Sequence, residues 1–258
     1  MTWLVYDGSF EGLLSAIFDT YEYKWKRGRI RKEGSSVPQL FAEIHTVVTD
    51  ESKASRVWKK MVSVFGADGV RTLWIAWLSE LETIEDTILG VVNYALELKK
   101  NVLGDFGNLH VLQVQQTAKS VGREKHRMEA FVRFQLTKDE LYFAVIDPDF
   151  NVLPLILKHF SDRYADQRWF IFDSRRQYGI YYDLTEAAFV DFLPGTLFAS
   201  GQICSEALSD TELLYQHLWS DYFSSTNIAG RKNTKLHVQH VPKRYWKYLI
   251  EKRIVQRD

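Results

Sequence analysis

The 258 residues carry 33 Lys and Arg against 33 Asp and Glu, with 46% hydrophobic and 14% aromatic residues. So much apolar material excludes a disordered chain, and the length suits one large domain or two small ones. A single cysteine, Cys204, excludes both an internal disulfide framework and an iron–sulfur centre held by several cysteines.

The neutral total conceals a segregation of charge. The run Lys24 to Lys32 (KWKRGRIRK) holds six basic residues and no acid, and Arg231 to Arg257 holds nine basic residues and one acid, Glu251. The rest of the chain has 18 basic against 32 acidic residues, a net −14. Two basic segments on an acidic body suggest a polyanionic partner, or docking of those segments on the body itself.

Taken in chain order, Thr2 to Tyr6 reads as a short apolar strand, and Ser9 can cap a helix running to about Lys24. The basic run then leads into a loop around Gly34 to Pro38, followed by a second strand within Phe41 to Val48. From Asp50 the pattern is helical to about residue 123, with Gly66 and Gly69 placed to break it. The alternation of Met128, Ala130, Val132, Phe134 and Leu136 predicts a strand, paired through a turn with Leu141 to Ile146. A helix over Val152 to Tyr164 and a second hairpin, Arg168 to Phe172 with Tyr178 to Tyr182, complete a β-β-α-β-β pattern. A basic aromatic tail from about residue 227 ends in a short helix opened by Pro242. The expected fold is a single α+β domain over 1–258. Its parts are a helical block at about 50–123, an antiparallel sheet of two hairpins at about 126–184, and a C-terminal basic helix.

Three stretches resemble one bacterial family: YDGSFEGLLSAIF (Tyr6 to Phe18), KHRMEAFVRF (Lys125 to Phe134) with the hairpin sequence that follows, and NIAGRKNTKLHVQHVPKRYWKYLIE in the tail. That family is a domain of unknown function ascribed to DNA metabolism and repair. The resemblance implies DNA as ligand and a radical-SAM DNA-modification protein as partner. Some members carry a fused uracil-DNA-glycosylase-like domain, which has no counterpart here. Val241 and Ile250 stand where the family tends to Met and Pro, and neither change removes a charge.

The candidate nucleic-acid-binding residues are Arg231, Lys232, Lys235, Lys243, Arg244, Tyr245, Trp246 and Lys247. Cations of this kind contact phosphates while aromatic faces stack on bases. The bland alternative is a solvated helix with Trp246 packed on the core. A rival reading is an enzyme with its own acid–base site, for which Asp7, Glu11, His126 and Arg127 are the candidates. Helix capping with dipole compensation is the favoured explanation of Asp7 and Glu11, and Asp147, Asp149 and Asp173 read as turn residues. A third reading is a protein-interaction scaffold. No nucleotide-loop, hydrolase or metalloprotease motif is present, and no cofactor is expected. The opening residues do not read as a signal peptide and no apolar run has membrane-spanning length, so a cytoplasmic location is expected.

Overall fold

The computed structural model describes residues 2–25, 28–35, 43–191, 198–199, 202–203, 207–209, 211–212, 214–216, 218, 238, 241–249 and 252. The chain forms two compact units, Met1–Arg123 and Glu124–Asp258. Helices and sheets are both present in quantity, so the α+β class holds. Among the described residues, no helix is long and apolar enough to cross a membrane.

In the first unit, β1 (Thr2–Tyr6) is flanked by β2 (Arg29–Lys32) and β3 (Glu43–Thr46), both parallel to it. The parallel geometry needs a crossover, which α1 (Phe10–Glu22) supplies. Ser9 starts α1 as predicted, its Oγ accepting from the Gly12 N–H at 2.9 Å. The helix buries Leu13, Leu14 and Ile17. Asp50 caps α2 (Glu51–Trp77) by accepting from the Lys53 N–H at 2.9 Å. Gly66 breaks α2 with φ 74°, a left-handed conformation that costs glycine little. The helices α3 (Ile84–Leu98) and α4 (Leu109–Phe131) complete the predicted helical block.

Two elements depart from expectation. Part of the basic run is strand rather than loop. Arg29-Ile30-Arg31-Lys32 has one apolar residue and no visible alternation, yet pairing with β1 buries Ile30 completely and Arg31 nearly so. The predicted strand over Met128 to Leu136 is mostly helix. Its alternation is a local accident overridden by a longer helical stripe, because Val111, Val114, Thr117, Val121, Glu124 and Met128 are all buried at helical spacing.

The core of the first unit encloses a polar trio. The Trp77 Nε1–H donates to the Tyr6 hydroxyl at 3.1 Å, which donates to Glu85 Oε1 at 3.0 Å. Burial pushes the Glu85 carboxyl up, against the opposing pull of the Tyr6 hydrogen bond and of Arg31. A carboxyl raised in this way binds more protons folded than unfolded. Its contribution is therefore fully present below the unfolded value, about 4.3, and is lost as pH rises through the folded value. Glu85→Gln is expected to gain stability relative to the native chain as pH rises out of the acid range. Urea denaturation of both proteins at several pH values measures this, and a pH-independent difference would contradict it.

In the second unit the sheet order is β4 (Gln135–Leu136), β5 (Tyr142–Ile146), β6 (Trp169–Asp173), β7 (Tyr178–Tyr182) and β8 (Ala187–Asp191). The two expected hairpins are the antiparallel pairs β4–β5, much shortened, and β6–β7. Between them β5 and β6 run parallel, because α5 (Leu153–Arg163) returns the chain to the start of the sheet. That helix buries Leu153, Ile156 and Phe160. The edge strand β8 is largely exposed and had no sequence signal. Two short strands, β9 (Phe198–Ala199) and β10 (Gln202–Ile203), pair antiparallel. Pro242 opens the predicted short helix of the tail, which is a 3-10 helix over Lys243–Tyr248.

Candidate functional site

Parallel pairing sets the carboxyl ends of β5 and β6 side by side, with Ile146 opposite Asp173. The chain leaves these ends as Asp147-Pro148-Asp149 and Ser174-Arg175-Arg176. This end of a parallel strand pair is where open sheets with helical crossovers commonly bind ligands.

Two buried carboxylates organise the site. Asp173 is fully buried, and its Oδ1 accepts from the backbone N–H groups of Arg175 and Arg176 at 2.9 and 3.1 Å. Its Oδ2 accepts from Arg176 Nη1 at 2.9 Å. Burial pushes the Asp173 carboxyl up although Arg176 pulls it down. Arg176 also donates to the backbone carbonyls of Pro148 and Asp149, each at 3.2 Å, and so ties the two strand ends together.

Glu124, on α4, is also buried. Its Oε1 accepts from the Asp149 N–H at 3.0 Å and from the Tyr245 hydroxyl at 2.6 Å. Its Oε2 lies 2.9 Å from Arg244 Nη2 and 3.5 Å from Arg127 Nη1. Arg244 additionally pairs with Asp149 and donates to the Tyr245 hydroxyl. Burial is the main reason that the Tyr245 hydroxyl is pushed up to about 12.

Around this centre lie the exposed pairs. Arg175 Nε stands 3.6 Å from Asp147, and its Nη1 stands 3.8 Å from Asp149. Lys247 Nζ reaches Asp147 at 2.9 Å, and hydrogen bonding with the Tyr248 hydroxyl is the main cause holding its ammonium above the usual value. Arg127, Arg244, Arg175 and Lys247 keep 33%, 40%, 53% and 54% of their side chains exposed, so their outward N–H groups can meet an anion.

The sequence-derived candidates are therefore distributed unevenly. Arg127, Arg244, Tyr245 and Lys247 converge here. Lys243 and Trp246 lie next to them in the tail, with the Lys243 ammonium 5.9 Å from the indole centroid and the indole N–H donating to the Val241 carbonyl. Arg231, Lys232 and Lys235 lie outside the described residues. His126 is 86% exposed on α4, 4.0 Å from Glu129. Asp7 and Glu11 belong to the first unit. Asp7 serves a turn: it accepts from the Ser9 N–H and hydroxyl at 2.8 and 2.7 Å and from Thr49 at 2.8 Å. Although burial opposes it, these bonds hold Asp7 below the usual carboxylate range. Glu11 is exposed in the first turn of α1.

Sequence reasoning missed Glu124, Asp147, Asp149, Asp173, Arg175 and Arg176 as members of one constellation. A usable signal existed: two charged turns, DPD and DSRR, each directly follow an apolar strand. Only the parallel pairing of those strands brings the turns together.

No curated protein matches the chain. A family of domains of unknown function does match, over residues 82–251, from the start of α3's approach through the whole of the second unit's strands and the tail helix. The chain thus belongs to the DUF4130 family, a domain of unknown function.

Proposed function

We propose that the chain is a nucleic-acid-binding accessory protein of DNA repair or modification. It holds a phosphate backbone against the cationic face at the ends of β5 and β6. The observation that carries this reading is the presentation on one face of four partly exposed cations, Arg127, Arg175, Arg244 and Lys247, from α4, a strand end and the tail. Guanidinium groups oriented by buried carboxylates make directional contacts to phosphate oxygens without first having to be ordered. The choice of DNA and a radical-SAM modification protein as catalytic partner rest on the resemblance of the motifs, and a cytoplasmic location rests on the sequence lacking a signal-peptide pattern and a membrane-spanning apolar run.

The test is fluorescence-anisotropy titration with single- and double-stranded oligonucleotides at several salt concentrations. Affinity is expected to fall steeply with salt, and Arg175→Ala and Lys247→Ala are each expected to reduce the salt slope by about 1. Absence of binding at low salt would overturn the proposal. A second reading is favoured by the carboxylate partner that each of these cations already has: the cluster would then fasten the tail to the sheet within a protein-interaction scaffold. In that case Lys247→Ala loosens the tail, and there is no oligonucleotide binding for either substitution to weaken.

A further inference from the structure

The basic run Lys24 to Lys32 is not absorbed by that site. In the first unit, a groove of about 810 Å³ is lined by Lys24, Trp25, Arg29, Asp86, Asn93 and His110, among others. Three features of this groove point to a ligand that combines an aromatic ring with negative charge.

First, the half-buried Trp25 indole is fixed in place. It stacks on Tyr23 at 4.8 Å and 30°, and meets His45 edge-on at 4.9 Å. An indole so held is a ready stacking surface, because it loses little freedom when a base docks on it. Second, positive charge is in excess. Asp86 is shared between Arg29 at 3.0 Å and Arg31 at 2.7 Å, and also accepts from the Ile30 N–H at 3.0 Å. Of the charged groups lining the groove, Arg29 and the exposed Lys24 face one carboxylate, Asp86, and the Lys24 ammonium has no ion pair among the described residues. Third, Lys24 has φ 57°, just beyond the end of α1. A glycine takes this left-handed position without steric penalty, whereas a lysine is strained there. The groove also offers a directional donor: the Tyr21 hydroxyl donates to Asn93 Oδ1, and the Asn93 amide N–H groups have no acceptor among the described residues.

We infer that this groove binds a nucleotide, its base stacked on Trp25 and its phosphate held by Lys24 and Arg29. The nucleotide is either free or part of a single strand. All of the residues it uses belong to the first unit, and the inference does not rest on the proposed backbone-binding face.

Isothermal titration of the full chain with adenosine monophosphate, adenosine, inorganic phosphate and a short single-stranded oligonucleotide tests the inference. At least one of the two nucleotide forms is expected to bind on the order of tenfold more tightly than adenosine or phosphate alone, since stacking and charge act together. The form that binds identifies the source. Lys24→Gly is expected to weaken this binding while raising the melting temperature, an opposition that a purely structural lysine would not produce. Trp25→Leu is expected to weaken it on the order of tenfold. The double variant Arg175→Ala/Lys247→Ala should retain it, which separates this site from the proposed backbone-binding face. The inference is overturned if neither nucleotide form binds, if phosphate alone binds as well as either form, if Lys24→Gly leaves affinity unchanged, or if the double variant abolishes the binding.

Discussion

Glu124→Ala is expected to destabilise the second unit by about 3 kcal/mol. The side chain is 1% exposed and accepts from the Asp149 N–H, the Tyr245 hydroxyl, Arg244 and Arg127. Alanine removes all four bonds at once. The Tyr245 hydroxyl and the Asp149 N–H lose their acceptor, and each such loss costs about 1–3 kcal/mol when the group is shut away from water. The two guanidiniums are a third or more exposed and recover hydration, so the effect stays at the low end of the range for a broken buried ion pair. Glu124→Gln keeps one oxygen for Tyr245 and Asp149 and is expected to cost only about 1 kcal/mol.

Urea denaturation read by tryptophan fluorescence gives the stability, and limited proteolysis after Lys243, Arg244 and Lys247 reports release of the tail. A cost well below 1 kcal/mol for the alanine variant would mean that the cluster does not anchor the tail. Glu124→Gln also bears on function. With the carboxylate neutralised, Arg244 and Arg127 turn more of their charge outward, so oligonucleotide affinity is expected to rise if the face binds phosphate.

Trp169→Ala is expected to cost about 3–5 kcal/mol. Trp169 is fully buried on β6, stacked on Tyr182 at 5.4 Å and 22°, tilted against Phe134 and edge-on to Phe160, each at 6.2 Å. Three aromatic neighbours cannot collapse into the vacated space without leaving their rotamers, so a cavity persists. The indole Nε1–H has no hydrogen-bond acceptor among the described residues. Trp169→Phe therefore removes volume but breaks no hydrogen bond, and is expected to cost distinctly less than the alanine change. If the two variants were equally destabilised, the aromatic packing would not be what holds this sheet. Because β6 also carries Asp173, loosening Trp169 should disturb the candidate cluster as well, seen as weaker oligonucleotide binding by Trp169→Ala if that face binds phosphate.

Local patterns in the chain were enough to place those elements whose own residues specify them. Ser9 and Asp50 cap α1 and α2, Gly66 breaks α2, and the apolar runs of β1, β6 and β7 lie where their composition puts them. Each depends on neighbours a few residues away, through a cap, a left-handed backbone angle or a continuous hydrophobic run. The tail's cations and aromatics were likewise legible as a candidate binding segment, and Arg244, Tyr245 and Lys247 join the cluster at the ends of β5 and β6.

What the local patterns left open depends on partners distant in the chain. Arg29–Lys32 becomes a strand only because β1 offers it an edge and Asp86 takes its charge. Gln135 and Leu136 retain strand geometry while the residues before Phe131 join a helix whose buried stripe began at Val111. The cluster itself is the clearest case. Glu124 and Arg244 are 120 positions apart, and Asp147 and Lys247 are 100 apart. Charges in exposed turns look alike whether they face water or one another. The parallel pairing of β5 with β6, and the burial of Glu124 and Asp173 beneath it, decide that these charges meet. Burial then makes the meeting matter energetically, because a carboxylate removed from water must find its compensation in the groups packed around it.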